Sequence, residues 1–67
     1  MQRPEIKIAY PSNHAAAAIE AIKEMNATNN FFFKHELDDK EQVLIIKADT
    51  VEDFYKLGQF AYKYLKP

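Results

Sequence analysis

The two histidines are the side chains best suited to proton transfer, because an imidazole titrates close to neutral pH. His35 lies between Lys34 and Glu36 in a segment rich in β-forming residues. A catalytic base also needs a pocket and a partner that orients it, and the neighbouring residues indicate neither. We therefore interpret His35 as a half-buried structural histidine within a strand.

His14 is the second histidine, and it follows Ser12 and Asn13 at the start of a predicted helix. The start of a helix attracts anions, because its first backbone N–H groups have no partner within the helix. Helix capping by Ser12 or Asn13 explains the same residues without a ligand. The chain contains a single glycine, which excludes glycine-rich phosphate loops and the KH type of nucleic-acid clamp. We expect no cofactor.

Carboxylates are concentrated at residues 38–41 and 49–53, and carboxylate oxygens can bind hard cations. Neither spacing matches a calcium-binding loop, and a predicted hairpin separates the two groups by the length of a strand. A solvated turn and a charged helix start explain them without an ion. Because the chain has no cysteine, thiolate zinc ligands are excluded as well. We expect no metal.

These residues do not indicate an enzyme. The sequence offers no serine, histidine and aspartate arrangement for nucleophilic catalysis, and a pocket of ordinary size is difficult to build in 67 residues. The net charge of −1 also gives no argument for nucleic acid or an anionic membrane as the main partner. We predict a protein without catalytic activity.

Hydrophobic periodicity predicts three strands and two helices. Apolar residues alternate with polar ones at residues 5–10, and β-forming residues fill residues 31–37 and 43–48, as expected of strands. Apolar residues recur at three- and four-residue steps in residues 14–27 and 51–65, which is typical of amphipathic helices. Asn26 and residues 28–30 are expected to end the first helix, and Thr50 is expected to cap the start of the second. The polar segment between the second and third strands predicts a hairpin with a loop of four or five residues.

The resulting βαββα order predicts a single domain spanning residues 1–67. A helical crossover makes the first two strands parallel, and the hairpin makes the third strand antiparallel to the second. The order of strands in the sheet is either 1-3-2 or 1-2-3. We therefore predict an α+β fold, a two-layer α/β sandwich with a three-stranded mixed sheet and both helices on one of its faces.

Such a sandwich leaves one face of the sheet uncovered by its own chain. Alternation predicts that one set of side chains in the second strand faces the helices: Phe31, Phe33, His35 and Leu37. The open face then carries an apolar set interleaved with a charged, mainly basic set: Phe32, Val43 and Ile45, and Lys7, Lys34, Glu36 and Lys47.

The second helix has more apolar surface than one core contact needs. At about 100° per residue, one stripe is predicted to face the core: Val51, Phe54, Gly58, Ala61, Tyr62 and Leu65. A second stripe remains: Leu57, Phe60 and Tyr64. Either this helix buries a wide arc beside the first helix, or the second stripe binds another protein. Gly58 costs roughly 1 kcal/mol relative to alanine within a helix, so we expect it to allow close packing on the core side.

The surplus of apolar residues predicts a small, non-enzymatic interaction or regulatory protein that forms a homodimer or docks on a larger protein. The predicted interface residues are Phe32, Val43, Ile45, Leu57, Phe60 and Tyr64. The alternative is a module that binds single-stranded nucleic acid on the open sheet face, by aromatic stacking and by ion pairs with phosphates. Its predicted contacts are Lys7, Phe32, Lys34 and Lys47.

The location of the protein is predicted from its apolar segments. No apolar run reaches the roughly 18 to 20 residues of a membrane span. The first five residues, which include Arg3 and Glu5, lack the apolar stretch of a signal peptide. We therefore expect a cytoplasmic protein without a membrane partner.

Overall fold

The computed structural model describes residues 3–28 and 31–65. Its elements are β1 (Glu5–Ala9), α1 (Asn13–Thr28), β2 (Lys34–Asp38), β3 (Val43–Lys47) and α2 (Val51–Leu65). This is the predicted βαββα order, but β2 begins three residues later than predicted. The expectation that Asn29 and Asn30 end the first helix lies outside the described residues.

The sheet has the strand order β1-β3-β2, and β3 is antiparallel to both of its neighbours. The prediction of a mixed sheet is therefore wrong. β1 and β2 do run in the same direction, as a helical crossover requires, but β3 lies between them and they never share hydrogen bonds. Of the two strand orders that the sequence left open, the structure has 1-3-2.

The start of α1 is held by the side chain of Ser12. Its Oγ atom accepts a hydrogen bond from the N–H group of Ala15 at 3.1 Å and donates one to the carbonyl oxygen of Ala9 at 2.6 Å. This confirms one of the two predicted capping residues. The same contact joins the end of β1 to the beginning of α1, so the turn between them is short.

The opposite end of α1 is at Thr28, one of the residues predicted to end it, but the role of Asn26 differs from the prediction. Asn26 lies within the helix rather than ending it. Its side-chain amide donates to the carbonyl oxygen of Phe33 at 3.1 Å and accepts from the N–H group of Phe33 at 3.1 Å. Asn26 thus satisfies both backbone groups of the residue that precedes β2, in the way a neighbouring strand would.

Both helices share one core with the central strand. The buried cluster combines α1, the start of β2, β3 and α2: Ala15, Ala18, Ala21, Ile22, Met25, Phe33, Leu44, Ile46, Ala48 and Leu57. Leu44 and Ile46 have no exposed surface, which places both helices against the same side of β3. The short alanine side chains of α1 let its backbone approach the sheet closely.

The edge strand β2 extends beyond the cover of the helices. His35 lies opposite Ile46, and Leu37 lies opposite Leu44, so both are on the helix side of the sheet. His35 is nevertheless exposed, and Leu37 is 47% exposed. The prediction of a half-buried His35 is therefore wrong: the helices cover β1 and β3, whereas only Phe33, just before β2, is buried.

The hairpin between β2 and β3 has a loop of four residues, 39–42, which agrees with the predicted length. The carboxylate of Asp38 accepts hydrogen bonds from the backbone N–H groups of Lys40 and Glu41, at 3.0 and 3.2 Å. Gln42 has a φ of 56°, a left-handed conformation that few residues other than glycine and asparagine adopt readily. This acidic segment is thus a turn that uses its own carboxylate.

Candidate functional site

The packing of α2 is the main departure from the expected distribution of apolar side chains. Thr50 caps the helix as predicted, accepting a hydrogen bond from the N–H group of Asp53 at 3.3 Å. Leu57, however, is only 3% exposed and belongs to the core, and Phe60 is partly buried against it. The expectation that Leu57 lies on a stripe left over by the core is wrong.

The side of α2 that adjoins its buried side carries apolar side chains into solvent. We call Val51, Tyr55, Gly58 and Tyr62 the exposed stripe. These residues are separated by four, three and four positions, so they lie along one line of the helix surface. Val51 is 63% exposed, Tyr55 74% and Tyr62 60%. The prediction that Val51 and Tyr62 face the core is therefore wrong.

Gly58 lies at the middle of the exposed stripe. A Cβ atom at this position would have no neighbouring atom within 4 Å, so the expected close packing of Gly58 on the core side does not occur. Glycine within a helix costs roughly 1 kcal/mol relative to alanine. No contact within the described chain explains this cost, and the surface over Gly58 is a notch between the side chains of Tyr55 and Tyr62.

An apolar groove of about 190 Å³ runs alongside the exposed stripe. Its walls come from β1, α1 and α2: Ile6, Ile8, His14, Ala18, Phe54, Leu57, Gly58, Ala61 and Leu65. Gly58 belongs both to this groove and to the exposed stripe, so the two form a continuous apolar surface. His14, the second residue of α1, lines this groove. It was considered from the sequence only as part of an anion site at the helix start.

Tyr64 belongs to a polar cluster that joins the end of α2 to α1. The carboxylate of Glu24 accepts hydrogen bonds from the Lys63 ammonium at 2.8 Å and from the Tyr64 hydroxyl at 2.9 Å. Lys63 also lies 5.4 Å from the ring centroid of Phe60 and 5.2 Å from that of Tyr64. Tyr64 remains 41% exposed, but its hydroxyl is bound within the chain.

Hydrogen bonding in this cluster shifts three pKa values. The bond from Lys63, followed by that from Tyr64, lowers the pKa of Glu24 below its usual 4.5. The same contact with Glu24 raises the pKa of Lys63. The hydrogen bond to Glu24 also raises the pKa of Tyr64, because the phenol must keep its proton to donate it. All three shifts favour the protonation states present near neutral pH.

The open face of the sheet contains the remaining predicted site residues. Three rows of side chains cross it: Glu5–Lys47–Lys34, Lys7–Ile45–Glu36 and Ala9–Val43–Asp38. Val43 and Ile45 are half-buried, whereas Phe32, outside the strand, is 65% exposed. The face therefore has little apolar area and carries charges of both signs.

Two of the predicted nucleic-acid contacts are neighbours on this face. Lys34 lies directly opposite Lys47, and like charges in this position repel each other. Lys7 differs, because its ammonium lies 3.8 Å from the carboxylate of Glu41. A shallow depression of about 230 Å³ adjoins the lysine pair and is lined by Lys34, His35, Glu36, Ile45 and Lys47. Phe32 does not line it.

The groups that carry chemistry are dispersed over the described residues. His14 and His35 are both exposed and lie on different elements. Within residues 3–28 and 31–65, no three His, Asp or Glu side chains form a group that could hold a metal ion. Asp49, two residues before α2, lies near a cation instead: its carboxylate is 3.6 Å from the guanidinium of Arg3.

Comparison with protein-family models, with curated proteins and with solved structures finds no match for this chain. Over the described residues, no helix combines the length and the hydropathy that crossing a membrane requires.

The sequence did contain a signal for the exposed stripe. Gly58 interrupts a helix otherwise rich in aromatic residues, and tyrosines occupy positions 55 and 62 on either side of it. Tyrosine combines a large apolar ring with a hydroxyl that stays hydrated, which suits a surface that is sometimes wet and sometimes covered. Periodicity assigned Val51, Gly58 and Tyr62 to the core, because they recur at helical spacing, and it assigned Tyr55 to neither predicted stripe.

Proposed function

We propose that this protein is a small, non-enzymatic interaction or regulatory protein that self-associates or docks on a partner protein. The observation that carries the proposal is the exposed stripe of α2, where three large apolar side chains are each at least 60% exposed. Single exposed apolar residues are ordinary. A line of them beside an apolar groove is instead typical of a surface that another protein covers.

The composition of the exposed stripe supports a protein rather than a nucleic acid as its ligand. It contains no charged residue, whereas nucleic-acid surfaces depend on basic side chains that contact phosphates. Tyrosine is enriched in protein interfaces, because its rigid ring offers much contact area at a small cost in conformational entropy. We therefore place the binding surface on α2 and its groove.

The proposal is tested by comparing two matched aromatic substitutions. Tyr55→Asp introduces a charge at the centre of the exposed stripe, and Phe32→Asp makes a similar change at an exposed ring beside the sheet. Tagged chains would be used for affinity capture in cells of the native source, together with a differently tagged wild-type copy. We expect Tyr55→Asp to reduce the captured protein at least tenfold and Phe32→Asp to leave it unchanged.

Two controls make this comparison decisive. Circular dichroism and urea unfolding should show that both variants are folded, as expected for substitutions at exposed positions. Capture that is lost with Phe32→Asp and kept with Tyr55→Asp would assign binding to the region of the sheet. Equal capture by all three chains would contradict a role for the exposed stripe.

The pair formed by Lys34 and Lys47 supports a second candidate, a module that binds single-stranded nucleic acid on the open sheet face. Both lysines lie outside ion-pair distance of the carboxylates in the described residues, and together with the exposed ring of Phe32 they could contact phosphate and base. Binding of a mixed-sequence oligonucleotide should then weaken steeply as salt is added. Lys34→Gln and Lys47→Gln should each weaken it, whereas Lys23→Gln on α1 should not.

A further inference from the structure

We propose that the occupant of the exposed stripe is a second copy of this chain, whose α2 packs antiparallel to the first across a twofold axis at Gly58. This inference rests on the proposed function and specifies the partner of the same surface. In a twofold dimer the same patch must complement itself. The order of side chains along the exposed stripe, continued to the half-buried Leu65 three residues after Tyr62, meets that requirement.

The first argument is the position of the glycine. α2 runs from Val51 to Leu65, so Gly58 is its central residue and would face its own counterpart at the twofold axis. With no side chain on either helix at that point, the two backbones can approach closely. The open notch over Gly58 then has a function in the dimer, which it lacks within one chain.

The second argument is the pairing of large side chains on either side of the glycine. In antiparallel helices related by this axis, residues whose numbers sum to about 116 lie opposite each other. Tyr55 then meets the partner's Tyr62, and Val51 meets the partner's Leu65. Two aromatic pairs and two aliphatic pairs thus flank the crossing, and aromatic pairs contribute about 0.5–1.5 kcal/mol beyond their buried area.

The charged residues near the two ends of α2 also favour one orientation of the pair. Glu52 and Asp53 lie in the first turn of α2, and Lys63 lies in the last turn. An antiparallel pair brings Glu52 close to the partner's Lys63, and Lys63, which is 51% exposed at its side chain, has further donors after binding Glu24. A parallel pair would place Glu52 against its own counterpart and align the two helix dipoles. Charge therefore selects the antiparallel arrangement.

Analytical ultracentrifugation of the purified chain between micromolar and millimolar concentration tests the self-association. Gly58→Arg fills the notch, and because an added Cβ meets no atom within the chain, the monomer should remain folded. Ala27→Arg is the control, since it makes the same change in charge at an exposed position of α1. We expect Gly58→Arg to raise the dimer dissociation constant at least tenfold and Ala27→Arg to leave it within twofold.

Single cysteines test the orientation of the two helices, because the chain contains no cysteine of its own. A mixture of Val51→Cys and Leu65→Cys chains should form a mixed disulfide under mild oxidation, since these positions face each other only in antiparallel helices. Val51→Cys alone should form little. Efficient disulfide formation by Val51→Cys alone would overturn the antiparallel arrangement.

Failure of this inference can be separated from failure of the proposed function. A wild-type chain that remains monomeric to millimolar concentration, or that dimerises equally with Gly58→Arg, overturns the second copy as occupant. Capture of a different protein that is lost with Tyr55→Asp would then retain the proposed function while assigning another partner. Capture that is insensitive to Tyr55→Asp removes the exposed stripe as the binding surface, and a chain that neither self-associates nor captures a protein removes the function itself.

Discussion

Glu24 is the residue that joins α1 to the end of α2. Its carboxylate binds Lys63 and Tyr64, which lie 39 and 40 positions further along the chain. No local pattern in the sequence reveals such a contact. The cluster also explains why Tyr64 is a poorer candidate for an interface than its ring suggests, since its hydroxyl is already bound.

Glu24→Gln should make the free energy of unfolding less dependent on pH in the acidic range. Because the pKa of Glu24 is lower in the folded chain than its usual 4.5, its contribution to stability is present above pH 4.5 and is lost as the pH falls through the folded value. The free energy of unfolding, measured with urea, should therefore differ between wild type and variant at pH 7, and the difference should shrink as the pH falls below 4.5 and through the folded pKa. Glu20→Gln, one turn earlier on α1, is the control, because it removes the same charge and keeps the hydrogen bonds of Glu24.

The basic side of the same cluster has the opposite sign. Folding raises the pKa of Lys63 above 10.5 and that of Tyr64 above 10.0. Their contributions are therefore present below those values and are lost as the pH rises through the folded pKa of each group. A difference between wild type and Glu24→Gln that stays constant from pH 3 to pH 7 would contradict the role assigned to the carboxylate.

Among the elements, the segment between α1 and β2 depends on Asn26. Its side chain is bonded to both backbone groups of Phe33, whose ring is buried and lies 6.5 Å from that of Phe54. Asn26→Ala removes both hydrogen bonds and should lower the free energy of unfolding by about 1–3 kcal/mol. Asn26→Asp keeps the acceptor, so its free energy of unfolding should lie between those of wild type and Asn26→Ala. An unchanged stability in urea would show that water replaces the amide without cost.

A pair of substitutions in α2 tests which of its sides is buried. Leu57→Ala should lower the free energy of unfolding by about 2–4 kcal/mol, because it empties a site in the core. Tyr55→Ala, two residues earlier, should change it by less than about 0.5 kcal/mol at a concentration where the chain is monomeric. The reverse order, measured by urea unfolding, would contradict the burial of Leu57 and the exposure of Tyr55.

At the scale of the whole molecule, the surplus of apolar residues remains, but its location has changed. The chain is 48% hydrophobic over 67 residues, and its predicted surplus lay on the open sheet face and on Leu57, Phe60 and Tyr64. The structure buries Leu57 and leaves Val43 and Ile45 half-covered by the side chains around them. It exposes Val51, Tyr55 and Tyr62 instead.

Self-association through this surface makes thermal stability depend on concentration. Because a dimer stabilises the folded state by mass action, the wild-type unfolding midpoint should rise from micromolar to millimolar protein in calorimetry. The Gly58→Arg midpoint should stay constant, and at low concentration it should exceed that of wild type, since arginine favours a helix by about 1 kcal/mol over glycine. A lower midpoint for Gly58→Arg at every concentration would show that Gly58 is needed within the monomer.

The sequence by itself determined the order and approximate bounds of the elements, the cap at Ser12, the cap at Thr50 and the length of the hairpin loop. These features depend on residues close together in the chain, where propensity and hydrogen bonding to the backbone act locally. Only the tertiary structure decided that β3 lies between β1 and β2, that Asn26 binds Phe33, and which side of α2 is buried. Each of these depends on contacts between distant segments, and α2 is apolar over so wide an arc that its periodicity fits more than one packing.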